Sequence, residues 1–313
     1  MNSYIKDLID LILNGGMDNT YKMSWIKSIV EVCEQDCKEK IDFDELSPLI
    51  YKYYWNQTYF FDLNQGSNVN KIPVILQLVK EGIENYKQKF NKTQPITFLR
   101  HPSPVETFVP IKQISSVLNE NVSWRFLQLD GKTYDTYEVD RKNKTITLKH
   151  PELIKEYSDI LFSLINYRWS QKLEDLDGSP RVSKKILGVD RDRTPKRNSL
   201  NRFHQYLDVE NPNRICFITG QEIPQDQVSI DHVIPWSYMY SDDLWNLVYV
   251  SKSVNSFKSN RLPNEKIIKK LEKRNKRLLD KLTSNGITGK DVDQLKLSNE
   301  RDWVVHHWTG FKG

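Results

Sequence analysis

Cysteine is scarce in this 313-residue chain: only Cys33, Cys37 and Cys216 are present. Three thiols are too few for a disulfide framework, which excludes the small stapled domains of oxidising compartments. Cys33 and Cys37 stand one helical turn apart, but no matching Cys or His lies near them in sequence. Buried thiols are therefore expected there rather than a zinc site. No run of eighteen or more apolar residues occurs, so no transmembrane helix is expected. The opening Met-Asn-Ser-Tyr-Ile-Lys-Asp carries an acid early and lacks the apolar core of a signal peptide. Low-complexity sequence is absent and no internal repeat is evident. Neither sign of charge dominates strongly. The formal net charge is +5, so where the charge sits says more than its total. A soluble cytoplasmic protein with no membrane partner is the expectation.

Aromatics are abundant: eight Trp, fifteen Tyr and twelve Phe argue against general disorder. The length is enough for two or three domains. Apolar spacing predicts a helix over 3–13, stopped by Asn14-Gly15-Gly16. A second runs over 20–35 from a Thr20 cap, with Trp25, Ile26, Ile29, Val30 and Cys33 on its apolar face. A third, capped by Asp42 or Asp44, runs through the aromatic stretch PLIYKYYWNQTYFF. A helix–helix core is the expected use of those aromatics, with a base-stacking platform as the alternative. A fourth helix covers 73–90.

After Lys92, prolines 95, 102, 104 and 110 break the chain. Strand-like pieces at 122–129, 134–140 and 145–149, with turns at Asp130-Gly131 and Lys142-Asn143, predict a small antiparallel sheet. Helical periodicity returns over 151–176 and stops at Asp177-Gly178-Ser179-Pro180. The fold class expected is α+β. A helical domain at 1–92 precedes a small sheet and long helix at 93–180, a basic connector at 181–210 and a last domain at 211–313. Residues 181–202 are rich in Lys and Arg. They read either as a solvated linker or as a strap contacting phosphates through Lys184, Lys185, Arg191 and Arg193.

Chemistry is densest between Arg214 and Pro263. Two short β segments, 214–219 and 227–232, flank a turn at Gly220–Pro224. The second ends in Asp231-His232. A polar loop, a strand over 246–250 and a short helix over 251–258 follow, carrying Asn246, Asn255 and Lys258. Hydrolysing a phosphodiester requires an activated water, a neutralised phosphate and a stabilised leaving alkoxide. Asp231 and the side-chain oxygen of Asn255 are hard donors suited to Mg²⁺ or Mn²⁺. Adjacent strand residues point to opposite faces, which frees His232 from the ion for general-base work. Asn246 can tie loop to strand. Lys258, one helical turn beyond Asn255, can face the same phosphate. Taken singly, each of these residues has a bland reading as a turn, a cap or a solvated side chain; the combination favours the site.

The stretch IDHVIPWS…WNLVYVSKSVNSFKSNRLP resembles the HNH endonuclease family, the ββα-metal nuclease module. That resemblance implies Asp231 as a metal ligand, His232 as general base, Asn246 as the structural middle Asn and Asn255 as the second metal ligand. The His–Asn–Asn version is similar to the HNH domain of RNA-guided CRISPR effectors, which also carry lysine at the position of Lys258. More weakly, Asn19-Thr20-Tyr21-Lys22 and Ile165–Trp169 resemble the forepart of full-length bacterial restriction and phage-defence HNH proteins. Many relatives hold the module with zinc on two Cys-x-x-Cys pairs. Here those positions are Cys216, Thr219, Ser251 and Val254, so a structural zinc is not expected.

The helix over 264–283 is strongly basic. With Lys252 and Arg261, its Lys269, Lys270, Lys273 and Arg274 are candidate contacts to a nucleic-acid backbone. It also has an apolar stripe of Ile267, Ile268, Leu271, Leu278, Leu279 and Leu282. Near the end, His306-His307 lies among Trp303 and Trp308; a terminal helix docked by its tryptophans is preferred to a metal pair. The leading expectation is a divalent-metal-dependent DNA endonuclease of a restriction or anti-phage system. It would act alone, as a homodimer or with a defence partner. Two alternatives stay open: a nucleic-acid-binding or regulatory protein with a non-catalytic HNH fold, and an effector silent until a partner activates it.

Overall fold

The structure, a computed structural model, describes residues 2–66, 72–91, 108–190, 193–258, 261 and 263–312. Pro95, Pro102, Pro104 and Arg191 lie outside the described residues. The chain divides into two compact units. The first holds residues 1–178 and 182–195, the second residues 179–181 and 196–313.

In the first unit, α1 (Ser3–Asn14) is capped by the Asn2 side chain, which accepts from the Tyr4 N–H at 2.8 Å. Next come α2 (Tyr21–Asp36), β1 (Lys40–Asp42) and α3 (Phe43–Phe61). Asp42 and Glu45 form a reciprocal capping box at the start of α3. The aromatics of α3 go inward: Tyr51, Tyr54 and Trp55 are fully buried, so they are core and not a stacking surface. After α4 (Val74–Phe90) come α5 (Ile111–Asn121) and the β2 (Gln128–Leu129)/β3 (Lys132–Thr133) hairpin. β4 (Tyr137–Asp140), β5 (Thr145–Leu148), α6 (Pro151–Glu156), α7 (Ser158–Asp177) and α8 (Val182–Gly188) complete the unit.

Three expectations change here. The boundary near residue 92 does not divide the fold. β1 pairs antiparallel with β5, Ile41 opposite Ile146, in a sheet ordered β1-β5-β4, so a strand from the first ninety residues completes the later sheet. The strand expected over 122–129 shrinks to Gln128–Leu129; before it the chain turns, and Val122 and Phe126 are buried from that turn. The basic connector begins as a folded part of the first unit. Asp190, just beyond α8, pairs with Lys27 of α2 at 2.5 Å, and Asn166 of α7 hydrogen-bonds both. A buried ion pair is held only where further polar groups satisfy it, and this one is. Lys185 is fully buried with its ammonium 5.9 Å from the Phe61 ring centroid, so it is not a phosphate contact. Lys184 and Arg193 are exposed.

The second unit contains α9 (His204–Glu210), β6 (Val228–His232), α10 (Trp236–Met239) and β7 (Leu247–Ser251). It continues with α11 (Lys252–Lys258), α12 (Glu265–Ser284), α13 (Lys290–Glu300) and α14 (Trp303–Lys312). Its core joins Leu247, Val248 and Val250 of β7 to Ile268, Leu271, Leu278 and Leu282 of α12. The basic helix therefore has one face in the core. The segment expected as a strand over 214–219 is instead a tight knuckle. Ile215 bridges Glu222, and the Gly220 N–H donates to the Cys216 carbonyl at 2.8 Å. Gly220 has φ 74°, a left-handed conformation that favours glycine. α14 docks through its tryptophans: Trp308 Nε1 donates to the Pro263 carbonyl at 2.8 Å, and Trp303 packs edge-on to Trp245.

Candidate active site

β6 and β7 are antiparallel, with Asp231 opposite Val248 and His232 opposite Leu247. α11 follows β7 directly. The Ser251 hydroxyl accepts from the Val254 N–H at 3.3 Å, turning the chain from strand to helix. α11 lies over the side of β6 that carries Ser229 and Asp231. Asn255 Nδ2 donates to Ser229 Oγ at 3.0 Å, and Lys258 Nζ meets Asp231 Oδ2 at 2.8 Å. Lys258 also donates to the His232 carbonyl. Strand alternation sends the His232 side chain to the other side, where Nε2 lies 3.0 Å from Asp242 Oδ1.

That last contact sets the imidazole. Burial raises the Asp242 carboxyl, but the His232 hydrogen bond and charge, with help from Asn198 and Arg202, more than offset it and hold it below the usual carboxylate range. An ionised carboxylate only accepts, so Nε2 is the nitrogen that donates to it, and in a neutral imidazole Nδ1 is then the one with the lone pair. Nδ1 has no hydrogen-bond partner among the described residues. Asp242 is the site residue that sequence reasoning missed. The only signal for it was an acidic pair, Asp242-Asp243, inside the loop, and the two acids do different work. Asp243 receives Arg181 Nη2 at 3.1 Å and Ser241 Oγ at 2.6 Å, which fixes the loop that presents Asp242.

Asn246 pins the other end of the same loop. Its Oδ1 accepts from the Ile234 N–H and its Nδ2 donates to the Ile234 carbonyl, both at 2.8 Å, while its own carbonyl accepts from the Val233 N–H. The residues following His232 are thus tied to the start of β7, and Asn246 itself is buried.

Asp231 and Asn255 fit a divalent ion by their chemistry. Both offer oxygen, and both lie on the side of the hairpin covered by α11. Donation by Nδ2 to Ser229 orients the Asn255 amide and leaves Oδ1 without a hydrogen bond among the described residues. No group of three or more His, Cys, Asp and Glu set to hold a metal occurs among the described residues. The four knuckle positions, Cys216, Thr219, Ser251 and Val254, hold one another with a single cysteine among them. Burial raises the Cys216 thiol, but hydrogen bonds from Thr219 and from the backbone at Thr219, Ser251 and Ile218 bring it below its ordinary value.

The basic candidates divide. Lys252 and Lys273 are exposed, and exposed Lys269 pairs with Glu265. Lys270 donates to the Phe217 carbonyl. Arg274 is 2% exposed, and its Nη2 donates to the Leu247 carbonyl at 2.6 Å; it faces the core and is not a backbone-phosphate contact. Arg261 sits 4.6 Å from the centroid of the Phe257 ring, and Phe257 is 73% exposed at the end of α11. An exposed aromatic in a polar seven-residue helix was a visible signal that the sequence reading passed over.

Residues 216–264 match the family model described as HNH endonuclease. The matched segment runs from the knuckle through the hairpin and α11 to the start of α12, so the chain carries an HNH endonuclease domain. That family implies a hydrolase acting on nucleic acid, and its nucleases generally use divalent metal ions. No curated protein and no solved structure matches the chain. Among the described residues no helix is long and apolar enough to cross a membrane.

Proposed function

We propose that this protein is a DNA endonuclease whose HNH site works with one Mg²⁺ or Mn²⁺ ion, serving restriction or anti-phage defence. The observation that carries the reading is the split of Asp231 and His232 to opposite sides of β6, with Asn255 on the Asp231 side and Asp242 on the His232 side. Asp231 and Asn255 would hold the divalent ion, which when bound would supply the positive charge that hydrolysis of a phosphodiester calls for. His232 Nδ1 takes the proton from the attacking water, and Asp242 steadies the imidazolium that results. Lys258 is a second cation beside Asp231 and turns toward phosphate once substrate is present. Phe257 and Arg261 offer a base-stacking face next to the cut, which suits a strand lifted from the duplex. The first unit serves target recognition or assembly.

Purified protein incubated with supercoiled plasmid and Mg²⁺ tests this directly, with EDTA and His232→Ala as controls. Cleavage that stops with EDTA and falls about 10²–10⁴-fold in His232→Ala is expected. Near wild-type cleavage by His232→Ala overturns the mechanism. Metal binding without cleavage favours the non-catalytic or partner-activated readings.

A further inference from the structure

On the side of the HNH domain served by α12, a cavity of about 170 Å³ lies between α9, the Cys216 knuckle, β7 and α12. Lys270, Arg274 and Arg277, at i, i+4 and i+7 of α12, line it together, and Glu210 is the single carboxylate among its walls. Glu210 is already engaged: Arg277 Nη2 reaches its Oε1 at 3.2 Å. Arg274 is the telling residue. Its Nη2 binds the Leu247 carbonyl, yet Nε and Nη1 are buried and have no hydrogen-bond partner among the described residues. Desolvation lowers its guanidinium to about 10. A buried cation with two idle donor atoms is costly, and an anion seated beside the guanidinium offsets that buried charge.

We infer that this cavity is a binding site for a phosphate-sized oxyanion, held by Arg274 with Lys270 and Arg277. The chemistry selects the class. Three cations around one occupied carboxylate repel a metal ion. The volume holds about half a dozen water-sized particles and is below the range of organic-ligand pockets, so the occupant is a small oxyanion or a single phosphate group projecting from a larger molecule. Guanidinium donors match such oxygens in pairs. The site reports to the hairpin, because Arg274 also holds the carbonyl of Leu247, the cross-strand partner of His232. It does not depend on nuclease activity.

The test is orthophosphate titration of the full chain without divalent metal, read by thermal unfolding and calorimetry, with chloride at matched ionic strength as control. A saturable rise in Tm with phosphate and none with chloride is expected. Arg274→Met, close in volume, should abolish it. Because that variant removes a buried anchor, Lys270→Met and Arg277→Gln serve as a second pair, each expected to weaken binding at least about tenfold. No saturable phosphate response in wild type, or an unchanged one in all three variants, overturns the proposal. Competition by a mononucleotide assigns the phosphate to a small ligand, and its absence to the free oxyanion; competition by a short duplex in EDTA, which does not reach a side chain 2% exposed, overturns the assignment to Arg274. Repeating the titration with His232→Ala, where the same response is expected, keeps this result separate from the nuclease reading.

Discussion

His232 and Asp242 make the sharpest prediction from single side chains. Asp242→Asn keeps the volume but lets the amide oppose either imidazole nitrogen, so the lone pair is no longer fixed at Nδ1. Turnover should fall at least about tenfold with little change in KM, and imidazole ¹⁵N shifts should show the tautomer change. Unchanged turnover with a mixed tautomer would remove Asp242 from the mechanism. His307 gives a pH prediction. Burial first, then His306 and Arg181, depress it from 6.5 to about 4. Between those values the unfolded chain binds a proton at this imidazole that the folded chain refuses. Stability from this group is therefore complete above about pH 6.5 and is lost as pH falls towards 4. Urea midpoints should drop more steeply over that window in wild type than in His307→Asn.

Among the elements, the loop between β6 and β7 determines whether the site exists. Its two ends are joined by Asn246 on Ile234, and it is braced before Asn246 by Arg181 and Ser241 on Asp243. Asn246→Ala leaves a buried N–H and a buried carbonyl of Ile234 without partners. A loss of about 3 kcal/mol in unfolding free energy is expected, together with loss of cleavage. Asn246→Asp, which can accept but not donate, should recover only part of the stability. If Asn246→Ala unfolds at the wild-type denaturant midpoint, the amide is not what holds the loop. α11 is the second deciding element. Phe257→Ala should weaken nucleic-acid binding, raising KM by about tenfold while leaving the unfolding midpoint unchanged, since the ring is 73% exposed.

For the whole molecule, one HNH site per chain implies one cut at a time. Supercoiled plasmid should pass through nicked circles before linear product appears, and the lag should shorten with protein concentration only if two chains act together. Linear product without a nicked intermediate would require a preassembled dimer. The two units also bear on stability. The first closes on itself through the β1–β5 pairing and the buried Lys27–Asp190 and Lys52–Glu31 pairs, the second through one core around β7 and α12.

The spacing of Asp231, His232, Asn246, Asn255 and Lys258 was legible because a hairpin followed by a short helix is local: alternation and helical pitch place those residues within fewer than thirty positions. The longer helices α1 to α4, α7 and α12 were legible for the same reason, whereas α5, α8, α9, α10 and α13 were not read as helices. What sequence could not reveal depended on contacts far along the chain. β1 is three residues whose partner lies about a hundred residues away, so no local pattern marks it as part of the sheet. Lys185 and Arg274 read as surface cations, since charge along a helix gives sign but not facing; packing on Phe61 and the bond to the Leu247 carbonyl turned them inward. Asp242 became the partner of His232 only because the loop folds back. The sequence by itself determined which residues the hairpin and α11 bring together. Tertiary structure decided which nitrogen of His232 meets Asp242 and which cations face inward, because orientation and burial are properties of the packed chain.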